Sequence, residues 1–293
     1  MAVKITIDIF SGRRNPEVEL SGKEAQEVLD HLKPQTSLEG DEAERAATPI
    51  LGYRGLIVEQ TGTPAVKELP ARFRVTGGSL VGRGLAHRAA DPEFEQFFFS
   101  TKGAFKKVKE ATKLRPLIKE EIPKTFERRK KLLIKLPPFP IKILCACAPL
   151  YEPAWWNDSG QKQFNNNCYN YATNYRSDTF AQPGLAAGAM YSALTCAAVL
   201  PAAVADDLED RPGANNKCPS EGHLVALVIA PNIDFHWFRK GRNGLWTHKP
   251  GGTAVTNVDN SGNLITDPRT ADRGMYSDFC TFMVVKHGHI KVS

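Results

Sequence analysis

Cysteine is absent from the first 144 residues of this 293-residue chain, and none of the six that follow pairs at CxxC spacing. The first absence leaves those residues without a thiol site of any kind. The second removes the usual redox and zinc-ribbon patterns, so neither a metal nor a cofactor is expected. Cys145-Ala-Cys147 is too tight to close on itself. An even number of cysteines permits disulfides, but a chain of this length buries enough core to do without them. Long apolar runs are also missing. Within the longest uncharged stretch, Thr179–Ala205, the run Ala186–Ala205 is alanine-rich and broken by Pro201, which predicts a buried helix and no membrane span. The opening MAVKITIDIF carries an acid within its apolar run and has no secretory core. The expected location is therefore the cytoplasm, or outside the cell without an N-terminal signal peptide. Gly77–Gly84 is glycine-rich but lacks the Gly-Lys-Ser/Thr ending of a phosphate loop, and predicts a hairpin loop. Asp259–Asn263 offers oxygen ligands without the terminal glutamate of a calcium loop, and predicts an Asx-type turn.

What is present is the composition of a soluble globular protein, 42% hydrophobic and 24% charged. The net charge of +6 is unevenly placed, because Lys102–Lys135 holds thirteen Lys/Arg against four Glu. A block of this kind marks a polyanion-binding surface or a solvated helical connector. No aromatics interleave with the charges to stack on bases, so the connector is the favoured reading and nucleic acid is not an expected partner.

The patterning predicts an α+β fold in three parts. Residues 1–112 read as a small α+β domain. Val3–Phe10 alternates as a strand, Val18–Leu20 returns, and Ser21 with Glu24 forms a capping box that opens a helix through Leu32. Asp91-Pro92 starts a phenylalanine-rich helix. Residues 113–140 read as a basic, proline-rich linker ending in the stiff Lys135–Pro140. Residues 141–293 form the second domain. It has a short strand at Ile141–Ala148, strands at His223–Ala230, Asp234–Arg239 and Leu245–His248, and a closing strand at Ser277–Lys286.

The stretch Asn165-Asn-Asn-Cys168-Tyr-Asn-Tyr carries the candidate chemistry. Asparagine is a good N-cap, so Cys168 falls in the first turn of a helix. Free N–H groups and the helix dipole there favour thiolate over thiol and can hold an oxyanion. His223 opens an apolar strand as its polar member, with Gly222 before it. A hairpin through Pro231-Asn232 would set Asp234 or His236 beside His223, the geometry of a base held by a third group.

A cysteine at a helix N-terminus followed by Gly-His-Leu-Val-Ala-Leu-Val-Ile on a strand resembles the papain-like NlpC/P60 and CHAP hydrolases, over residues 165–239. The resemblance implies a papain-like C-terminal domain with Cys168 as nucleophile, His223 as general base and His236 as orienting residue. Asp234 and Asn232 are alternatives for the third position, and His248 for the base. Gln163, Asn167 and Trp156 are the candidates for oxyanion and substrate contacts. The expected activity is amide hydrolysis or acyl transfer through a thioester, on a peptide or isopeptide. Two other readings stand beside it: a non-catalytic binding or toxin-associated module on a papain-like scaffold, and a nucleic-acid-associated protein using residues 102–135.

Overall fold

The computed structural model describes residues 1–63, 65–132 and 143–293, which divide into two compact α+β units built on antiparallel sheets. One unit comprises residues 1–9, 15–48 and 52–134, and the other residues 10–14, 49–51 and 135–293. The predicted strand Ile141–Ala148 is not formed in its described part. Cys145–Ala148 is a turn, with the Ala148 amide donating to the Cys145 carbonyl. Lys135–Pro140 lies outside the described residues.

In the first unit, β1 (Ala2–Asp8), β2 (Glu17–Ser21), α1 (Gly22–His31), β3 (Pro34–Ser37) and α2 (Gly40–Ala47) precede β4 (Gly55–Gln60), β5 (Arg72–Thr76), β6 (Ser79–Gly82) and β7 (Leu85–Ala89). The helices α3 (Phe94–Phe99) and α4 (Ala111–Lys131) follow. The seven strands lie in the order β2-β1-β4-β5-β6-β7-β3. Alternation explains β1: Val3, Ile5 and Ile7 are fully buried while Ala2, Lys4 and Thr6 are partly exposed. The stretch Gly77–Gly84 is more than a loop, because it contains β6 between two tight turns. Thr76 pairs with Ser79 across Gly77-Gly78, whose φ values of 57° and 72° suit glycine at both central positions. Ser21 is the N-cap of α1, but its side chain makes no capping bond, so the predicted capping box is not formed. Asp91 accepts from the Glu93 amide at 2.9 Å and so stabilises the turn before α3, which starts later than predicted.

The basic stretch is not a linker over its described part. Residues 111–131 form α4, whose positions Leu114, Ile118, Glu121, Thr125 and Arg129 are all buried in the first unit. Their spacing is helical, but three of the five are polar, so the apolar pattern is faint. Pro116 and Pro123 sit on the exposed side of this helix.

Burial of Glu95 in α3 raises its carboxyl to about 7, opposed by bonds from the Tyr53 hydroxyl and the Gly77 amide. The folded group thus holds a proton that the unfolded chain, at 4.5, gives up earlier. The stability this contributes is complete below pH 4.5 and is lost as pH rises towards 7, a fall of about 3 kcal/mol. Urea unfolding at pH 5 and pH 7.5 should show most of that fall, about 2 kcal/mol, and Glu95→Gln should flatten it. An unchanged slope in the variant would assign the pH dependence elsewhere.

The second unit carries α5 (Pro153–Trp156), α6 (Gln161–Asn165), α7 (Cys168–Thr173) and α8 (Cys196–Ala205). Its strands are β8 (Glu209–Asp210), β9 (His223–Ala230), β10 (Asp234–Lys240), β11 (Trp246–His248) and β12 (Asp278–Val285), in the order β11-β10-β9-β12-β8. Strand β9 is buried at every residue because the sheet is covered on both faces. Val225, Leu227 and Ile229 pack with Cys168, Tyr169 and Ala172 of α7 and with Val199 and Ala203 of α8. Leu224, Ala226, Val228 and Ala230 pack on the opposite side with Phe238, Trp246, Ile265 and Tyr276. The uncharged run predicted as one helix over Ala186–Ala205 is helical only in α8, and no helix among the described residues is long and apolar enough to cross a membrane.

Four of the six cysteines are cross-linked, against expectation: Cys145 to Cys218 and Cys196 to Cys280. The pairings could not be read from spacing, since the partners are 73 and 84 residues apart. Cys280 is the extra residue of a bulge in β12, where the register against β9 shifts between Phe279 and Thr281. It meets Cys196 in the first turn of α8.

Candidate functional site

All six residues of α7 are buried, so each of its terminal N–H and C=O groups needs a partner inside the protein. At the N-terminus, Asn167 Oδ1 accepts from the amides of Tyr169 at 3.0 Å and Asn170 at 3.1 Å. Asn170 Oδ1 answers by accepting from the Asn167 amide, which completes a reciprocal capping box. The remaining side-chain atoms of the asparagines tie neighbouring loops to the helix. Asn167 Nδ2 donates to the Gly12 and Ala181 carbonyls, Asn170 Nδ2 donates to Tyr175, and Asn166 Nδ2 donates to Lys162. The Lys249 ammonium donates to the carbonyls of Gln163, Asn166 and Gly251.

The C-terminus is closed in the same manner. Asn174 adopts a left-handed conformation and donates to the Asn170 and Tyr171 carbonyls. Arg239 Nη1 donates to Tyr171 and Asn174, with its guanidinium 3.8 Å from the centre of the Tyr171 ring. His223 Nε2 donates to the Ala172 carbonyl at 2.7 Å.

The predicted catalytic residues Cys168 and His223 are both engaged at this helix. Cys168 and His223 both touch α7, but at opposite ends. The sulfur lies 4.0 Å from the Phe235 carbonyl, while His223 Nε2 is bonded to Ala172 and Nδ1 has no partner among the described residues. Burial pushes the Cys168 thiol well above its ordinary range, and the Asp234 carboxylate pushes the same way. Burial also pushes His223 down to about 3, so its ring is neutral. An activated thiolate–imidazolium pair requires both shifts reversed. The amides of Tyr169 and Asn170 in the first turn of α7 are bonded to Asn167.

His236 is not the orienting residue of His223. In the hairpin Asp234 pairs with Ala230, so His236 stands opposite Val228, and β9–β10 pairing ends at Val225–Arg239 before His223 is reached. The two histidines also lie on opposite sheet faces, since Val225 and Val228 belong to the two different cores. His236 Nε2 is instead 2.9 Å from His248 Nδ1, and His248 Nε2 donates to the Val258 carbonyl. Asn232 forms the hairpin loop at φ 60°.

Asp234 binds a segment of its own unit. Its carboxylate accepts from the amides of Ser11, Gly12 and Arg13 at 2.6, 3.2 and 3.0 Å, and from the Tyr276 hydroxyl at 2.6 Å. Trp156 is buried edge-on against Tyr171, with ring centres 5.1 Å apart. Gln163 Oε1 accepts from the Ser159 amide at 3.3 Å.

Sequence reasoning passed over Cys147, whose thiol is free and exposed. Its sulfur is 3.7 Å from the Ser220 carbonyl, and its own carbonyl accepts from His287 Nε2 at 3.0 Å. No sequence signal marked it, because which cysteines are cross-linked and which are buried emerges only in the structure.

The candidate site is therefore a helix-capping network in a disulfide-bonded α+β unit. No family model and no solved structure matches the chain. Insoluble matrix shell protein 1 of Ruditapes philippinarum is 45% identical to it over 142 residues, which span 47% of this chain and 91% of that protein. The chain belongs to the family of that shell-matrix protein.

Proposed function

We propose that this protein is an exported, non-catalytic structural or binding component of an extracellular matrix, with its second unit held rigid by cross-links. The two long-range disulfides carry this reading, because such bonds persist in oxidising compartments and are rare in the cytosol. The commitment of Asn167, His223 and Arg239 to capping supports it, as does kinship with a protein named for an insoluble shell matrix. The competing reading, a cysteine hydrolase acting on a peptide or amide, rests on Cys168 opening α7 and His223 contacting the same helix.

Alkylation of the native, oxidised protein at pH near 6 separates the two. Cys147 should react, and Cys168 should react only after denaturation. Peptide mapping without reductant should return the pairs 145–218 and 196–280. Faster labelling at Cys168 than at Cys147, with thiol-dependent turnover of a peptide substrate, would establish the hydrolase instead.

A further inference from the structure

The first unit contains a cavity of about 370 Å³ whose wall joins α2, β5, β6 and β7 to α3 and α4. Four of its lining side chains are cationic: Arg45, Arg88, Arg129 and Lys130. Three of these have carboxylate partners outside or at the mouth. Arg88 pairs with Glu42, Arg45 with Asp41 at 4.0 Å, and Lys130 with Glu127 at 2.9 Å. Arg129 differs. It is 7% exposed and makes no ion pair among the described residues. Its Nη1 is committed to the carbonyls of Arg45, Ala46 and Thr48 around the end of α2. Its Nε and Nη2, the edge of a guanidinium that matches an oxyanion in two parallel bonds, have no partner among the described residues.

Two more polar atoms on this wall, Arg45 Nε and Thr76 Oγ1, are likewise buried without a partner among the described residues. Leaving such groups unsatisfied is expensive, most of all beside a charge. The acids of the cavity do not meet the need, because the Glu95 oxygens accept from Tyr53 and Gly77, and Glu42 faces Arg88 at the mouth. The rest of the lining includes Phe126, Pro92 and Ala46, which offer apolar surface beside the charge.

We propose that this cavity binds a small organic anion, a carboxylate or phosphate head carried on an apolar body. The head supplies acceptors to the open edge of Arg129 and the body lies against Phe126. Arg88, whose side chain is 42% exposed, admits the anion and adds to its attraction.

Isothermal titration of the intact, oxidised chain tests this with benzoate and phenyl phosphate, using benzamide and inorganic phosphate as controls. At least one aryl anion should bind with one site per chain, about ten-fold or more tighter than either control. Arg129→Gln should weaken it about ten-fold, since it removes a charged two-point contact. Arg88→Gln at the mouth and Ala46→Leu, which fills the cavity, should each weaken it several-fold. Absence of saturable binding by both aryl anions, or benzamide binding as tightly as benzoate, would overturn the proposal. So would full affinity in a folded Arg129→Gln. If that variant does not fold, unchanged affinity in both Arg88→Gln and Ala46→Leu overturns it, and weakened affinity sustains it.

Discussion

Replacing Cys196 and Cys280 together by alanine should lower the stability of the second unit by about 4 kcal/mol, from the loop-closure entropy of a cross-link spanning 84 residues. The effect is large because the bond joins the first turn of α8 to a bulge in β12, far apart in sequence, and both cysteines pack against the core that contains Val199 and Met283. Cys145–Cys218, spanning 73 residues, should contribute a similar amount. Urea unfolding of the oxidised protein, of the double variant and of the reduced wild type measures both terms. A midpoint insensitive to reduction would show that the packing of β9 alone fixes the unit. That outcome would also remove the main argument for export.

Asp234→Ala should cost about 3–5 kcal/mol, the usual penalty for removing one partner of a buried charged group. The carboxylate accepts three consecutive amides and a tyrosine hydroxyl. Its removal strands those donors in a place where the chain cannot easily close up. Gly12 lies so near the Phe235 ring that an added Cβ would stand 2.4 Å from it. Asp234→Asn should fall between, because the amide keeps one accepting oxygen and turns an N–H₂ toward donors. Chemical unfolding of the two variants orders them. A loss below about 1 kcal/mol for the alanine variant would mean that water satisfies the amides.

Much of the second unit was legible in the sequence. Strands β9, β10, β11 and β12 stand where their β-branched and aromatic runs place them, and Asn167 marks the start of α7. What the pattern does not contain is direction. A capping asparagine says where a helix begins, not whether the next side chain faces a cleft or a core, and Cys168 faces the core. A strand histidine followed by a hairpin suggests neighbours, but the period of two and the length of β9 put His223 and His236 on different faces and at different ends. The helix α4 was hidden for another reason. Its buried row includes Glu121, Thr125 and Arg129, whose burial depends on partners such as the carbonyls of Tyr53 and Ala46, which no local window reveals. The disulfides were hidden in the same sense, as contacts between distant positions.

The second unit is not one continuous piece of chain, since residues 10–14 and 49–51 belong to it together with 135–293. Leu51 exchanges two hydrogen bonds with the side chain of Asn260, while Ser11, Gly12 and Arg13 close around Asp234. A gene cut near codon 140 therefore would not liberate an intact C-terminal half. It would express a fragment with an uncovered carboxylate and an amide side chain lacking its mate, and solubility trials on such a fragment would report on the missing pieces. Co-expression with the N-terminal half, or a circular permutant that keeps both short segments, is the rational route to dissecting this protein.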